Sequence, residues 1–188
     1  MKKVVDRLRD LNKTVATMES CTGGFVASSI TDIEGASDVL KFSAVTYSNE
    51  YKIKMGVSSE IIDKYSVYSK EVAREMAYNI SLYVNSNYGI GITGKINRID
   101  KNNLSGEDNK VFYCIYDKDN GVYYDFSFVC VDDTRNQNKK YITDDIVNII
   151  YNDILTYYGK FIVFEDKYKN KEGIVAHFLF DLDFVNVK

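Results

Sequence analysis

A hydroxyl, a thiol and two glycines lie together in the segment Glu19-Ser20-Cys21-Thr22-Gly23-Gly24. The apolar run 14–18 before this segment predicts a buried strand, and the pattern of residues 25–30 after it predicts a helix. At such a junction a side-chain nucleophile can face a ligand, while the first N–H groups of the helix face an anion or a developing oxyanion. Because Ser, Thr and Gly are also ordinary capping and turn residues, the segment alone fits a structural junction equally well. It is nevertheless the best active-site candidate in the sequence.

The composition predicts a globular protein that does not bind nucleic acid directly. The chain has 188 residues, 45% of them hydrophobic, which is enough for one domain with a core and a small appendage. The formal net charge of −3 provides no basic field for a nucleic-acid backbone. No apolar stretch approaches the roughly 18–20 residues that span a bilayer, and residues 1–11 read as an amphipathic helix and not as a signal peptide. We therefore expect no membrane partner.

The cysteine and histidine content argues against metal and disulfide chemistry. Cys21, Cys114 and Cys130 are odd in number and lack CxxC spacing, which suits a reducing cytosol and predicts a cytoplasmic location without a zinc site. The single histidine, His177, lies far along the chain, so a His-based triad or a multi-His metal site is hard to build. We interpret His177 as structural or surface-exposed, and expect no metal ion and no cofactor.

Strand and helix patterns alternate along the chain. Strands are predicted at 14–18, 40–47 and 88–93, and helices begin at Ser48-Asn49, Ser58 and Ser69. Two strand-like runs, 111–116 and 122–131, are joined by Asn120-Gly121, a strong hairpin signal, and a helix runs from there to about Tyr158. The pattern predicts an α/β sandwich with a mixed sheet over residues 1–158. Residues 159–188 are rich in aromatic and β-branched residues and predict an added β-hairpin packed on the same domain.

Five segments, in this order, resemble the CinA C-terminal domain family, the nicotinamide-nucleotide amidohydrolases of the PncC type. They are Glu19–Gly24, Val45–Lys52, Gly56-Val57, Val67–Ala73 and Ile92-Thr93-Gly94. The likeness covers roughly residues 1–158 and implies a three-layer α/β/α sandwich. It also implies a cytosolic enzyme that hydrolyses the carboxamide of nicotinamide mononucleotide to nicotinic acid mononucleotide and ammonia. A pyridine nucleotide is then the small-molecule partner, and a homo-oligomer is compatible with the sequence.

The resemblance assigns catalytic roles to Ser20 as nucleophile, to Lys52 at the end of the second motif and to Thr93 before the glycine of the third. The late arginine of the family falls on Arg135. The expected substrate-binding residues are Tyr47, Asn49, Thr22, Gly23, Gly24, Gly94 and Arg135.

Chemistry supports a serine–lysine pair independently of the family. An amide is a poor electrophile, so a serine that attacks it needs a base, and without a suitable histidine a lysine is the natural candidate. Such a lysine must be neutral near pH 7, which requires burial or a neighbouring cation. Arg135 suits a phosphate through its bidentate fork. Each of these residue types also fits a purely structural role. Lys52 fits a solvated lysine of a helix surface, and Thr93 fits the end of a strand. Arg135 fits a surface arginine, and Cys21 fits a small buried thiol instead of the nucleophile.

The sequence departs from the family after Thr93-Gly94. The family continues with a small-residue loop of the type Ile-Ala-Gly-Pro-x-Gly-Gly, whereas residues 95–103 here include Lys95, Arg98 and Lys101. Loss of these glycines is expected to restrict close backbone approach to a ligand, while the cations are expected to attract a phosphate. Two alternatives to the enzyme therefore stay open: a nucleotide-binding or regulatory protein without turnover, and an interaction module of the competence or DNA-damage machinery.

Overall fold

The computed structural model of the chain describes residues 1–97, 105–132 and 134–155. Within these ranges it contains a five-stranded sheet whose strands are β1 (Val15–Glu19), β2 (Leu40–Val45), β3 (Tyr88–Gly94), β4 (Lys110–Asp117) and β5 (Val122–Val129), in the order β2-β1-β3-β4-β5. Strands β2, β1 and β3 are parallel, and β4 and β5 are added antiparallel. The prediction of a mixed α/β sheet, including its Asn-Gly hairpin, is confirmed.

In the part of the chain that the structure describes, six α-helices connect and cover the strands. They are α1 (Lys2–Asp10), α2 (Phe25–Thr31), α3 (Asn49–Lys54), α4 (Ser59–Tyr65), α5 (Lys70–Val84) and α6 (Arg135–Ile149). Ser48, Ser58 and Ser69 accept hydrogen bonds from the N–H groups of Tyr51, Ile61 and Val72 respectively, so the three predicted serine caps open α3, α4 and α5. Thr134 caps α6 in the same way through Gln137.

The helices form a layer on each face of the sheet. All five residues of β1 are buried, and successive side chains point to opposite faces. Val15 belongs to a core that includes residues of α1, α2 and α6, whereas Ala16 and Met18 belong to a core with α4 and α5. The three-layer α/β/α arrangement follows from these two cores. The crossover connections bring the carboxyl ends of β1, β2 and β3 to one edge, where ligands bind in open α/β sheets.

The last described segment differs from its prediction. The helix predicted to run to about Tyr158 ends as α6 at Ile149 and continues as a π-helix over Ile150–Leu155. This wider turn packs against α1, where the Arg7 Nε donates to the Leu155 carbonyl at 3.3 Å. The hairpin predicted for residues 159–188, and the boundary before it, lie outside the described residues. No helix in the described ranges is long and apolar enough to cross a membrane.

Candidate active site

Ser20 lies at the carboxyl end of β1, in the first turn after the strand. Its N–H donates to the Ile92 carbonyl of β3 at 3.0 Å, which continues the pairing between β1 and β3 by one residue. Its carbonyl accepts from the Gly23 N–H at 3.0 Å and closes a tight turn over residues 20–23. The positive φ angles of Gly23 (65°) and Gly24 (90°) lead the chain out of this turn into α2. Ser20 is thus held by the sheet on one side and by the turn on the other.

The N-terminus of α2 is occupied by the protein itself. Both carboxylate oxygens of Glu19 accept backbone hydrogen bonds, from Gly24 at 3.0 Å, Val26 at 3.2 Å and Ala27 at 2.8 Å. The Thr17 hydroxyl also donates to this fully buried carboxylate, at 3.3 Å. The N–H groups of Gly24, Val26 and Ala27 therefore point at the protein's own Glu19 carboxylate, which leaves them unavailable to a ligand. Sequence reasoning placed Glu19 in the motif but gave it no role.

Two N–H groups of the turn remain for a developing oxyanion. The Gly23 N–H is used by the Ser20 carbonyl and the Gly24 N–H by Glu19. Among the described residues, the N–H groups of Cys21 and Thr22 donate to no protein acceptor. The hydroxyl of Thr22 is also buried without a partner in these ranges. The N–H groups of this turn that are left for an oxyanion therefore belong to Cys21 and Thr22, its two central residues.

Lys52 reaches Ser20 from α3. Its Nζ lies 3.0 Å from the Ser20 Oγ and 2.7 Å from the Thr46 carbonyl. The side chain is 1% exposed, and burial lowers the pKa of Lys52 from 10.5 to about 8, a shift that the nearby Cys21 partly opposes. With this pKa about one molecule in ten carries a neutral Lys52 at pH 7. The structure therefore brings the predicted pair into direct hydrogen-bond contact, with a lysine that loses its proton more easily than an exposed one.

A short chain of hydrogen bonds places Lys52. The Thr46 N–H donates to the Glu19 carbonyl at 2.8 Å, which links the residue after β2 to the last residue of β1. The Thr46 carbonyl then accepts from the Lys52 Nζ. Since Glu19 also fixes the start of α2, this one residue connects the elements that carry the nucleophile and the lysine. The role of the Thr46 carbonyl had no signal in the sequence, because any residue type supplies a carbonyl.

Cys21 is a buried thiol in the hydrophobic core, as its structural alternative predicts. Burial raises its pKa to about 12, a shift that Cys130 increases and that Arg135 and Lys52 partly oppose. A thiol with this pKa carries almost no thiolate near neutral pH, and the thiolate is the reactive form. Cys21 is therefore a poor nucleophile beside Ser20.

Thr93 and Gly94 lie in β3 and have structural partners. The buried Thr93 hydroxyl donates to the Val67 carbonyl at 2.8 Å. The catalytic role expected for Thr93 stays a prediction. A Cβ at Gly94 would lie 2.5 Å from the Lys110 carbonyl oxygen, so glycine is required there for the close approach of β4. These two residues position the end of β3 and the segment before α5.

Arg135 opens α6 and joins three parts of the site. One guanidinium nitrogen donates to the Ile96 carbonyl, and the other lies 3.4 Å from the Tyr47 hydroxyl. Arg135 is half-buried and Tyr47 is 66% exposed, so this part of the site faces solvent. Asn49 is half-buried at the first position of α3, three residues before Lys52. The structure thus brings Arg135 and Tyr47 together across 88 residues of sequence.

Asn138 holds this end of α6 in place. Its buried side chain donates to the Asn97 side-chain oxygen at 2.8 Å and the Asp132 carbonyl at 2.7 Å. Its own oxygen accepts from the N–H groups of Val131 at 3.2 Å and Asp132 at 3.1 Å. The segment after β3, the segment after β5 and α6 are therefore tied together next to Arg135. An asparagine among the polar residues of 135–140 gave no signal of this role.

Lys95 is buried and paired with Asp108 instead of lying exposed at the site entrance. Its side chain is buried, and its Nζ lies 3.2 Å from both the Gly106 carbonyl and an Asp108 carboxylate oxygen. The expectation that Lys95 attracts a phosphate is therefore wrong, because Asp108 already neutralises it. Arg98 and Lys101 lie outside the described residues. In the described part of the chain, no group of three or more histidine, cysteine or carboxylate side chains is placed to hold a metal ion.

The fold and the motif order agree with known proteins. The model of the CinA C-terminal domain matches residues 1–144. A CinA-like protein of Flavobacterium psychrophilum is 35% identical over 159 residues, which cover 81% of this chain and 36% of that protein. A putative competence-damage inducible protein of Thermoanaerobacter pseudethanolicus is 45% identical over 96 residues, or 50% of this chain and 23% of that protein.

A solved structure shows the same fold. The competence/damage inducible protein CihA from Agrobacterium tumefaciens superposes with a TM-score of 0.72 at 24% identity, covering 79% of this chain and 89% of that one. The matched part spans only 23% and 36% of the lengths of the two curated relatives. On the family match and the shared fold, this chain belongs to the CinA C-terminal domain family.

Proposed function

We propose that the site hydrolyses the carboxamide of a pyridine nucleotide, with nicotinamide mononucleotide as the substrate, by a serine–lysine mechanism. The observation that carries the proposal is the 3.0 Å contact between the Ser20 Oγ and the Nζ of a buried lysine whose pKa is lowered to about 8. A serine hydroxyl next to an amine with a lowered pKa supplies both the nucleophile and the base that activates it.

The residues suggest an order of events. Neutral Lys52 accepts the Ser20 proton as the oxygen attacks the amide carbon, and the N–H groups of Cys21 and Thr22 are the free donors for the oxyanion. The protonated Lys52 then returns a proton to the leaving nitrogen, which departs as ammonia. Water cleaves the resulting acyl ester on Ser20, with Lys52 again as the base. Arg135 is the candidate ligand for the substrate phosphate.

The test is release of ammonia from nicotinamide mononucleotide by the purified protein, with the nicotinic acid mononucleotide product identified by chromatography. Ser20→Ala is expected to lower the rate at least about 1,000-fold without changing the fold. Ser28→Ala is the matched control, since Ser28 is an exposed serine of α2. If the native protein binds the nucleotide but releases no ammonia, the alternative of binding without turnover replaces the enzyme. If Ser20→Ala keeps the native rate, the reaction does not use this serine.

A further inference from the structure

Helix α6 carries a second cation, which lies over the turn of residues 20–23. A Cβ built on Gly23 would lie 3.4 Å from the Lys139 Nζ. Gly23 is the residue whose N–H closes this turn onto the Ser20 carbonyl. Since Gly23 is exposed and Lys139 is half-buried, the ammonium rests against the outer surface of the turn. The Lys139 ammonium therefore lies beside the turn that begins at Ser20.

Lys139 and Arg135 lie on one face of α6. They are four residues apart, which places them one above the other on the same side of the helix. In the described ranges neither residue forms an ion pair, although eight other ion pairs occur there. Like charges at this spacing destabilise a helix unless an opposite charge lies between them. The two cations thus leave room for a negative charge that a ligand supplies.

We propose that Lys139 and Arg135 together bind the phosphate of the substrate, with Lys139 as the ligand next to the turn. The identity of the nucleotide rests on the proposed function above. Arg135 offers planar donors that the Ile96 carbonyl and the Tyr47 hydroxyl hold in one orientation, and Lys139 adds a point charge one helical turn further along α6. The ligand class is therefore a phosphomonoester, and a nucleoside without phosphate lacks the group that this pair recognises.

The α2 terminus cannot replace this pair. Phosphates often bind at helix N-termini, but Glu19 uses the first N–H groups of α2 and places a fixed negative charge there. Of the other cations near the site, Lys95 is neutralised by Asp108 and Lys52 contacts Ser20. Among the described residues, Lys139 and Arg135 are the cations left for an anion beside the turn of residues 20–23.

The test is calorimetric binding in the Ser20→Ala protein, in which the ligand is not consumed. Titration with nicotinamide mononucleotide and with nicotinamide riboside separates the phosphate from the rest of the ligand. Lys139→Met is expected to weaken mononucleotide binding by at least about tenfold and to leave riboside binding unchanged, while Lys139→Arg keeps most of the affinity. Lys140→Met is the matched control, because Lys140 is the exposed neighbour of Lys139.

Two outcomes overturn the phosphate site. An unchanged mononucleotide affinity in Lys139→Met does so directly, and an equal loss for both ligands assigns Lys139 to support of the turn. Failure of the proposed function gives a different result from failure of the phosphate site. In that case the native protein releases no ammonia, but binding of the mononucleotide still depends on Lys139. If no nucleotide binds, titration with inorganic phosphate decides the question. Lys139-dependent phosphate binding supports the anion site, and its absence overturns it.

Discussion

The two halves of the candidate site lie in opposite environments. Ser20 and Lys52 are 6% and 1% exposed, whereas Tyr47 is 66% exposed and Arg135 and Lys139 are half-buried. Burial lowers the pKa of Lys52 to about 8, while Arg135 and Lys139 lie partly exposed to water. The buried half is therefore suited to chemistry and the open half to recognition. Substitutions in the first half should change the rate strongly, and those in the second should change affinity moderately.

The largest effect is expected from removing the buried amine. Lys52→Met should lower the rate of ammonia release by about 1,000-fold, since general-base catalysis typically contributes 100- to 10,000-fold. In the native protein the rate should rise with pH up to about 8, because Lys52 acts as a base only after it loses its proton. A pH–rate profile of both proteins is the measurement. Lys54→Met, which changes an exposed lysine of the same helix, is the control. A rate that is flat between pH 6 and about 9 contradicts the role of Lys52.

The same burial predicts a dependence of stability on pH. Between pH 8 and 10.5 Lys52 is neutral in the folded protein but still protonated in the unfolded chain, so the unfolded state binds more protons and stability rises with pH. Relative to Lys52→Met, the native free energy of unfolding should increase by roughly 2 kcal/mol between about pH 7.5 and about pH 10. Denaturant titrations of both proteins at the two pH values measure this difference. Parallel pH dependences would mean that Lys52 keeps an ordinary pKa in the folded state.

A smaller effect is expected at the boundary between strand and helix. Glu19→Gln replaces one acceptor oxygen by an amide nitrogen that faces backbone N–H donors of α2, and should lower the free energy of unfolding by about 2 kcal/mol. Ser20 directly follows Glu19 in the chain, and the Glu19 carbonyl accepts a hydrogen bond from the Thr46 N–H. We therefore expect the rate of ammonia release to fall about tenfold as well. Thermal unfolding and ammonia release measure the two effects. Glu60→Gln is the control, an exposed carboxylate in the first turn of α4. A stable variant with the native rate would show that α2 does not need this charge.

The sequence predicts the buried half of the site better than the open half. Ser20, its turn and α2 are contiguous, so local signals of strand, glycine and cap already place the serine at a junction. The capping serines before α3, α4 and α5 are local in the same sense. The family motif then adds Lys52, whose burial no local pattern reveals.

The remaining contacts depend on tertiary packing. In the sequence Glu19 is one more residue of the motif. Only the path of α2 in the structure shows which N–H groups donate to its carboxylate. Lys139 and Asn138 are ordinary helix residues in the sequence, and only the docking of α6 brings them to Gly23 and Asn97. Lys95 shows the converse case, since its position after a motif suggested an attraction for phosphate while its partner in the fold is Asp108. Sequence spacing limits where a residue can go, but contacts across the fold decide which atom it meets.

The smallest effect is expected at the exposed edge of the recognition half. Tyr47→Phe removes only a 3.4 Å hydrogen bond from Arg135 to an exposed hydroxyl, so its loss should cost well under about 1 kcal/mol. The Michaelis constant for nicotinamide mononucleotide should rise two- to fourfold or so at unchanged kcat, because the Tyr47 hydroxyl orients Arg135 and not the reacting atoms. Tyr51→Phe, another exposed tyrosine nearby, should leave both constants unchanged. A fall in kcat with an unchanged Michaelis constant would instead place the Tyr47 hydroxyl among the groups that act on the amide, and the division between a buried chemical half and an open recognition half would no longer hold.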